Sequence, residues 1–285
     1  MTERMIPTRG AELCTETFGL SHHPAVLLIM GACASMLWWP QEFCERLAQS
    51  GYFVIRFDNR DTGRSTCYEP GTIHYSLDDM MEDAVAILDA YTIKSATVAG
   101  ASLGGMIAQL LALKHPERVR NLVLMVSGPV AVPEDIVLPP IEQKVLDHHA
   151  GAGAIDWSNE AQALDFMVAG WRITAGTRHP FDESLIRATA VEDYHRSTQL
   201  QSSFNHALLS GGDWAMGRLP EIQAPTLVVH GTDDPVLPFP HAEYLARVIP
   251  NAQLLALKGA GHELHRGDWD QIIAAIKALP AAPHT

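Results

Sequence analysis

The sequence predicts an α/β fold, with a mostly parallel central sheet flanked by helices and an inserted helical lid. Three observations carry this expectation. Short β-rich runs alternate with longer amphipathic segments, the pattern of parallel strands joined by crossover helices. The runs themselves are nearly continuous in apolar residues, as strands covered on both faces are. One long stretch, from about Pro129 to Pro220, breaks the alternation with helical periodicity alone.

Taken in order, Glu12 to Phe18 reads as an antiparallel lead-in strand, and the Gly-Leu-Ser-His-His-Pro segment after it as a turn. The inner strands are expected at Ala25 to Met30, Phe53 to Phe57, Ala96 to Ala99, Leu122 to Val126, Thr226 to His230 and Gln253 to Leu257. Helical spacing of apolar residues marks Trp39 to Ser50, Leu77 to Tyr91, Leu103 to His115, Pro240 to Val248 and Trp269 to Leu279. Ser76 before Leu77-Asp78-Asp79 has the form of an N-cap followed by acidic residues, which suits the positive end of a helix dipole. The Gly, Pro and Trp residues of the long stretch suggest several short helices. An all-helical insertion between two central strands would lie over the carboxyl edge of the sheet, where open α/β sheets bind ligands. The organisation read from this is a core of residues 1–128 and 221–285 with a lid at 129–220. There are no internal repeats or low-complexity tracts.

Composition narrows the function classes. The 285 residues, 47% hydrophobic and 19% charged, suffice for one large core. With 20 Lys and Arg against 33 Asp and Glu, the net charge of −13 is wrong for a nucleic-acid binder and for an acidic membrane surface. The N-terminal residues show no apolar run of signal-peptide length, so a cytoplasmic location is expected. Cys14, Cys33, Cys44 and Cys67 include no Cys-x-x-Cys pair and read as buried thiols, with no metal site expected.

The strongest local signal is Gly100-Ala101-Ser102-Leu103-Gly104-Gly105, directly after one predicted strand and directly before an apolar helix. A nucleophile on so sharp a turn projects from the sheet, and small neighbours let the backbone make it. The helix dipole faces the reaction centre, and the Leu103 N–H is directed to where an oxyanion would form. A serine hydroxyl is a weak nucleophile at neutral pH, so it needs a base held in one tautomer. Two loops at strand carboxyl ends supply candidates in the order serine, acid, histidine: Asp233-Asp234, after Gly231-Thr232, and His262, after Gly259-Ala260-Gly261. Residue chemistry separates Asp233 from Asp234 only weakly. His265 is the nearby rival to His262 but lacks the glycine approach, and as a metal pair the two histidines imply no third ligand. The turn Met30-Gly31-Ala32-Cys33 after the first parallel strand is where a second oxyanion donor is expected, with the Ala32 N–H as the candidate. Cys33 itself reads as a small pocket wall, since no Cys-His pairing signal accompanies it. His22-His23, His148-His149 and His206 form no spaced ligand set and read as surface or pocket polar groups. Trp38, Trp39, Trp171 and Trp214 are mostly core candidates, Trp171 being the one that could line a pocket.

With these motifs in place, the sequence resembles the α/β-hydrolases over essentially its whole length. Asp58-Asn59-Arg60-Asp61-Thr62-Gly63-Arg64-Ser65 is similar to the D-x-R-G-x-G-x-S turn of that family, with Asp61 where glycine is usual, and reads as a loop that braces the site. Gly231 to Pro238 matches the family's G-x-x-D-x-[hydrophobic]-x-P pattern with the acid at Asp234. Within the superfamily the chain is most similar to the aclacinomycin methylesterase family, enzymes of anthracycline maturation. That likeness is carried by Glu3-Arg4 and Pro7, Leu28 to Ala32, Arg60 to Thr66, Trp171-Arg172-Ile173, Gly176-Thr177, Pro180-Phe181-Asp182 and Pro225 to Val228. The resemblance implies a cofactor-free methyl-ester hydrolase with Ser102, Asp234 and His262 as its triad and Ala32 and Leu103 as oxyanion donors. The chain departs from it at Ala32, where glycine is expected, and in a shorter, little-alike lid from Pro133 to Gly170. The expected substrate is a small-molecule ester with a hydrophobic or aromatic acyl group. Other chemistries of the same fold, a carbon–carbon bond hydrolase, a lactonase or a cofactor-free perhydrolase, remain open, as does a non-enzymatic small-molecule receptor.

Overall fold

A computed structural model of the chain describes residues 3–280. It opens with an antiparallel hairpin, β1 (Arg4–Thr8) and β2 (Ala11–Phe18), turned at Gly10 with φ of 82°. β3 (Ala25–Ile29), α1 (Gln41–Gln49), β4 (Phe53–Phe57), α2 (Leu77–Ala90), β5 (Ala96–Ala101), α3 (Leu103–Lys114) and β6 (Val119–Met125) follow as alternating strands and helices. Three helices come next, α4 (Gln143–Gly151), α5 (Glu160–Thr174) and α6 (Glu183–Arg196), then a long 3-10 turn at Leu200–Leu208. The chain returns through β7 (Thr226–Gly231), α7 (Pro240–Val248), β8 (Gln253–Leu257) and α8 (Trp269–Ala278).

The eight strands form one sheet in the order β1-β2-β4-β3-β5-β6-β7-β8, parallel from β4 onward. Strand order reverses around β3, so the carboxyl ends of β3 and β5 lie side by side, the crevice where α/β sheets gather ligands. Residues of the inner strands alternate between two apolar layers, Leu27 and Ile29 on one face and Val26 and Leu28 on the other. The first layer packs against α2, α3 and α7; the second packs against α1 and α8. At the start of α2, Ser76 Oγ accepts from the Asp79 N–H while the Asp79 carboxylate accepts from the Ser76 N–H, a reciprocal cap.

The structure differs from the sequence reading in four places. β1 is an additional strand. Of its five residues only Ile6 is buried, and Pro7 is tolerated because the strand lies at the sheet's edge, where an N–H is dispensable. β8 is not covered on both faces: it is the opposite edge strand, and only Leu257 is buried. All four cysteines are free, but only Cys14 and Cys44 are buried; Cys33 and Cys67 stand in loops and are partly exposed. His206 is not a surface group. It is buried and hydrogen-bonded through both ring nitrogens. Among the described residues, no helix is long and apolar enough to cross a membrane.

Candidate active site

The turn from β5 into α3 is set by close packing. Ser102 takes φ 50° and ψ −118°, a conformation that costs a non-glycine residue about 1–3 kcal/mol. The surroundings leave no other. A Cβ on Gly100 would lie 2.1 Å from the Gly104 carbonyl oxygen, and one on Gly104 would lie 2.1 Å from the Ile29 carbonyl oxygen. The Ser102 N–H donates to the Met125 carbonyl at 2.9 Å, and its own carbonyl accepts from Ser127 Oγ at 2.8 Å. Both main-chain groups of Ser102 are thus tied to β6 and the residues just after it, leaving the side chain free. Leu103 begins α3, so its N–H is one of the helix's uncommitted donors.

Asp234 and His262 are brought together by the loops after β7 and β8. His262 Nδ1 and Asp234 Oδ2 are 2.7 Å apart, with the Asp234 side chain fully buried and that of His262 14% exposed. Asp234 Oδ1 accepts from the Val236 and Leu237 N–H groups at 2.8 and 2.9 Å. Burial works to raise the Asp234 pKa, yet His262 and His230 together hold it well below the usual carboxylate range. Asp233, by contrast, is exposed and accepts from the hydroxyls of Thr177 and Thr232. His265 stacks on His179 at 4.1 Å and accepts from the Gly267 N–H through Nδ1. Among the described residues no hydrogen bond joins Ser102 to His262.

The turn after β3 lies against the serine. A Cβ on Gly31 would sit 3.2 Å from Ser102 Cβ, so the Gly31–Ala32 peptide borders Ser102. Asn59 Nδ2 holds the Met30 carbonyl at 2.9 Å. Burial pushes the Cys33 thiol up to about 12, which leaves it a poor nucleophile. The β4 loop is rigidly built. Asp58 accepts from the Met36 and Arg64 N–H groups and pairs with Arg196 at 2.7 Å, and Arg60 pairs with buried Asp83. Asp61, standing where glycine was expected, takes φ 64° and accepts from the Tyr68 N–H, the Tyr75 hydroxyl and Asn205.

Three residues near the site have contacts that the sequence did not foretell. His230 Nε2 lies 3.2 Å from Asp234 Oδ2 and 2.7 Å from the Leu237 carbonyl; its trace in the sequence is a polar residue closing the apolar run of β7, where burial demands a partner. Glu263 accepts from the N–H groups of Gly261 at 2.9 Å and Gly176 at 3.1 Å, tying the histidine loop to the end of α5. Adjacency to His262 was its only signal. His206 is described below; 173 residues separate it from its partner Cys33, and nothing local announces it.

Residues 24–266 match the family described as alpha/beta hydrolase fold. The chain belongs to that family. It is 34% identical over 98% of both chains to rhodomycin D methylesterase DauP of Streptomyces sp. (strain C5). It is 28% identical to the putative carbamate hydrolase RutD of Pseudomonas syringae pv. syringae, over 90% of this chain and 93% of the relative. Among solved structures, the esterase RhEst1 of Rhodococcus sp. ECU1013 superposes with a TM-score of 0.79 at 20% identity, over 98% of this chain and all of that one, a likeness of fold. At superfamily level, the chain is thus an α/β-hydrolase.

Proposed function

We propose that this α/β-hydrolase is a serine esterase that cleaves a methyl or short-alkyl ester of a hydrophobic or aromatic acid through an acyl-enzyme. The observation that carries the reading is the pairing of buried Asp234 with His262, 2.7 Å apart, on the same carboxyl edge of the sheet as the strained Ser102 turn. Ser102 Oγ attacks the ester carbonyl carbon while His262 Nε2 takes its proton. The carbonyl electrons move onto oxygen, which the Ala32 and Leu103 N–H groups receive. The tetrahedral intermediate collapses, the alkoxide takes the proton from His262, and the alcohol leaves. Water then attacks the acyl-enzyme with His262 again as base, which frees the acid and restores Ser102. Asp234 keeps Nδ1 protonated and steadies the imidazolium.

The 34% identity to a methylesterase supports a small alcohol. An apolar acyl group is supported by Met167 and Trp171 of α5, which pack against the layer holding Met30, Ala101 and Val126 beside the site. Trp171 stacks on Trp38 of the core at 4.4 Å, which docks the insertion, whereas Phe166 and Phe204 pack with Trp157 and His148 and hold the insertion itself together.

The test compares kcat/KM for methyl phenylacetate, a medium-chain aryl ester, a lactone, a triglyceride emulsion and a prolyl amide, alongside fluorophosphonate labelling of Ser102. The methyl or aryl ester should lead. A leading lactone would move the reaction to lactonase, equal rates on triglyceride or amide would make lipase or peptidase the better name, and turnover or labelling undiminished in Ser102→Ala would remove the nucleophile.

A further inference from the structure

We infer that His206, from the helical insertion, is a positioning residue that holds the oxyanion turn in shape. The inference rests on the reading above that the Ala32 N–H is an oxyanion donor.

The turn needs holding. Cys33 sits at φ 60°, in the left-handed region that an L-residue occupies only at a cost of about 1–2 kcal/mol. Nothing in the local sequence relieves that cost, since the residue is not a glycine. Two contacts from the 3-10 turn at Leu200–Leu208 offset it. The Cys33 N–H donates to His206 Nδ1 at 3.1 Å, and the Cys33 thiol donates to the Ser203 carbonyl at 3.3 Å.

His206 is itself fixed. Its Nε2 lies 2.8 Å from the Arg60 carbonyl, which can only accept, so the proton is on Nε2 and Nδ1 is left as an acceptor for Cys33. Arg60 is anchored by its pair of hydrogen bonds to Asp83, at 2.7 and 2.8 Å, and by one to the Arg9 carbonyl. Burial lowers the His206 pKa, which keeps the ring neutral and its acceptor available.

The consequence falls on the neighbouring peptide. Gly31 is pressed against Ser102 on one side and the Cys33 amide is pinned on the other, so the residue between them has little torsional freedom left. Because Cys33's own N–H is committed to His206, the turn presents the Ala32 N–H, which has no protein acceptor among the described residues and belongs to an exposed residue. A donor fixed in advance contributes to the transition state without reorganising, which is where such groups have their effect.

Asparagine and glutamine separate the two ring contacts. His206→Asn places an acceptor near the position of Nδ1 and gives up the Arg60 contact; His206→Gln does the reverse. The expected result is a Gln variant with kcat about 10- to 100-fold down and KM within about threefold, and an Asn variant within about threefold of wild type. The inhibition constant of a trifluoromethyl ketone, whose adduct carries the oxyanion, should rise in step with the fall in kcat/KM. Equal kcat for the two variants, or a loss seen only in KM, would overturn the assignment. A measurement on the unaltered chain stands beside this should the Gln variant not fold: the Cys33 amide should exchange with solvent at least about tenfold more slowly than the Ala32 amide, and equal rates would overturn the clamp. Stoichiometric fluorophosphonate labelling of Ser102 in every variant keeps the two readings apart. If the wild-type enzyme fails to label, the esterase reading itself falls; if labelling holds while Asn and Gln behave alike, only the role of His206 falls.

Discussion

The serine turn and the two loops that face it are built in opposite ways. Everything that shapes Ser102 belongs to the sheet and to α3: the Gly100 and Gly104 contacts, the Met125 carbonyl and Ser127. The facing loops take their shape from the insertion. The His262 N–H donates to the Thr174 carbonyl at 2.8 Å, the Thr177 and Arg178 N–H groups both donate to the Gly259 carbonyl at 2.7 Å, Glu263 bridges Gly261 and Gly176, and His206 holds Cys33. Ser102 is therefore placed by the core alone, whereas His262 and the turn at Cys33 are placed by the core and the insertion together.

Substitutions can test that division, the most damaging first. Ser102→Ala should lower kcat on the order of a million-fold with the melting curve unchanged, since the turn is held by its neighbours rather than by the hydroxyl. A large fall in Tm would show that the side chain supports the turn. Asp234→Asn should cost roughly ten-thousand-fold in kcat through the wrong His262 tautomer, while Asp233→Asn stays near wild type; the opposite ranking would move the acid to Asp233. The same variant carries a pH signature. The folded-state pKa of Asp234 lies below its unfolded value, so its ionisation adds stability above about pH 4 that disappears as the pH falls through the depressed value. The gap in Tm between wild type and Asp234→Asn should be widest near neutrality and close in acid; a gap that widens in acid would reverse the sign of the shift.

Gly261→Ala sharpens the contrast. Its Cβ would lie 2.2 Å from the Thr174 carbonyl oxygen and 2.5 Å from the Gly176 nitrogen, forcing the histidine loop and the insertion apart. A displacement of that kind should cost about a hundredfold in kcat with the core melting almost as before. Gly100→Ala, buried between strand and helix, should instead lower Tm and activity together. If both variants lose Tm equally, the two regions are not independent. The smallest effect is expected at Glu263: Glu263→Gln keeps an acceptor and should stay within about threefold in kcat/KM, whereas Glu263→Ala should lose about tenfold. Equal activities of the two would remove Glu263 from the clamp.

The same division explains what could be read from the sequence. The strand–turn–helix context made Ser102 legible because its determinants are contiguous, from Ala96 through Gly105. Asp234 and His262 were legible because loops after β7 and β8 carry them in a known order, although residue chemistry alone left Asp233 in contention. Its exposure, against the full burial of Asp234, is a property of the folded chain. β8 misled because Gln253 to Leu257 has the apolar content of an inner strand, and only sheet order makes it an edge. His206 was illegible for a different reason: its meaning lies in a contact across 173 residues, between two segments of which neither carries a pattern.

Heat should reveal the same asymmetry. The loops that present His262 and Cys33 are fastened to the insertion by polar contacts, at Thr174, Gly176, Arg178 and His206, while the serine turn is embedded between apolar layers. Segments secured in that manner open at lower free energies than the layers beneath them. Turnover should then fade on warming before the sheet's circular dichroism changes, and it should return on cooling as long as the layers stay closed. Over that interval the protein would be an intact fold with a ready nucleophile and no base in place to activate it.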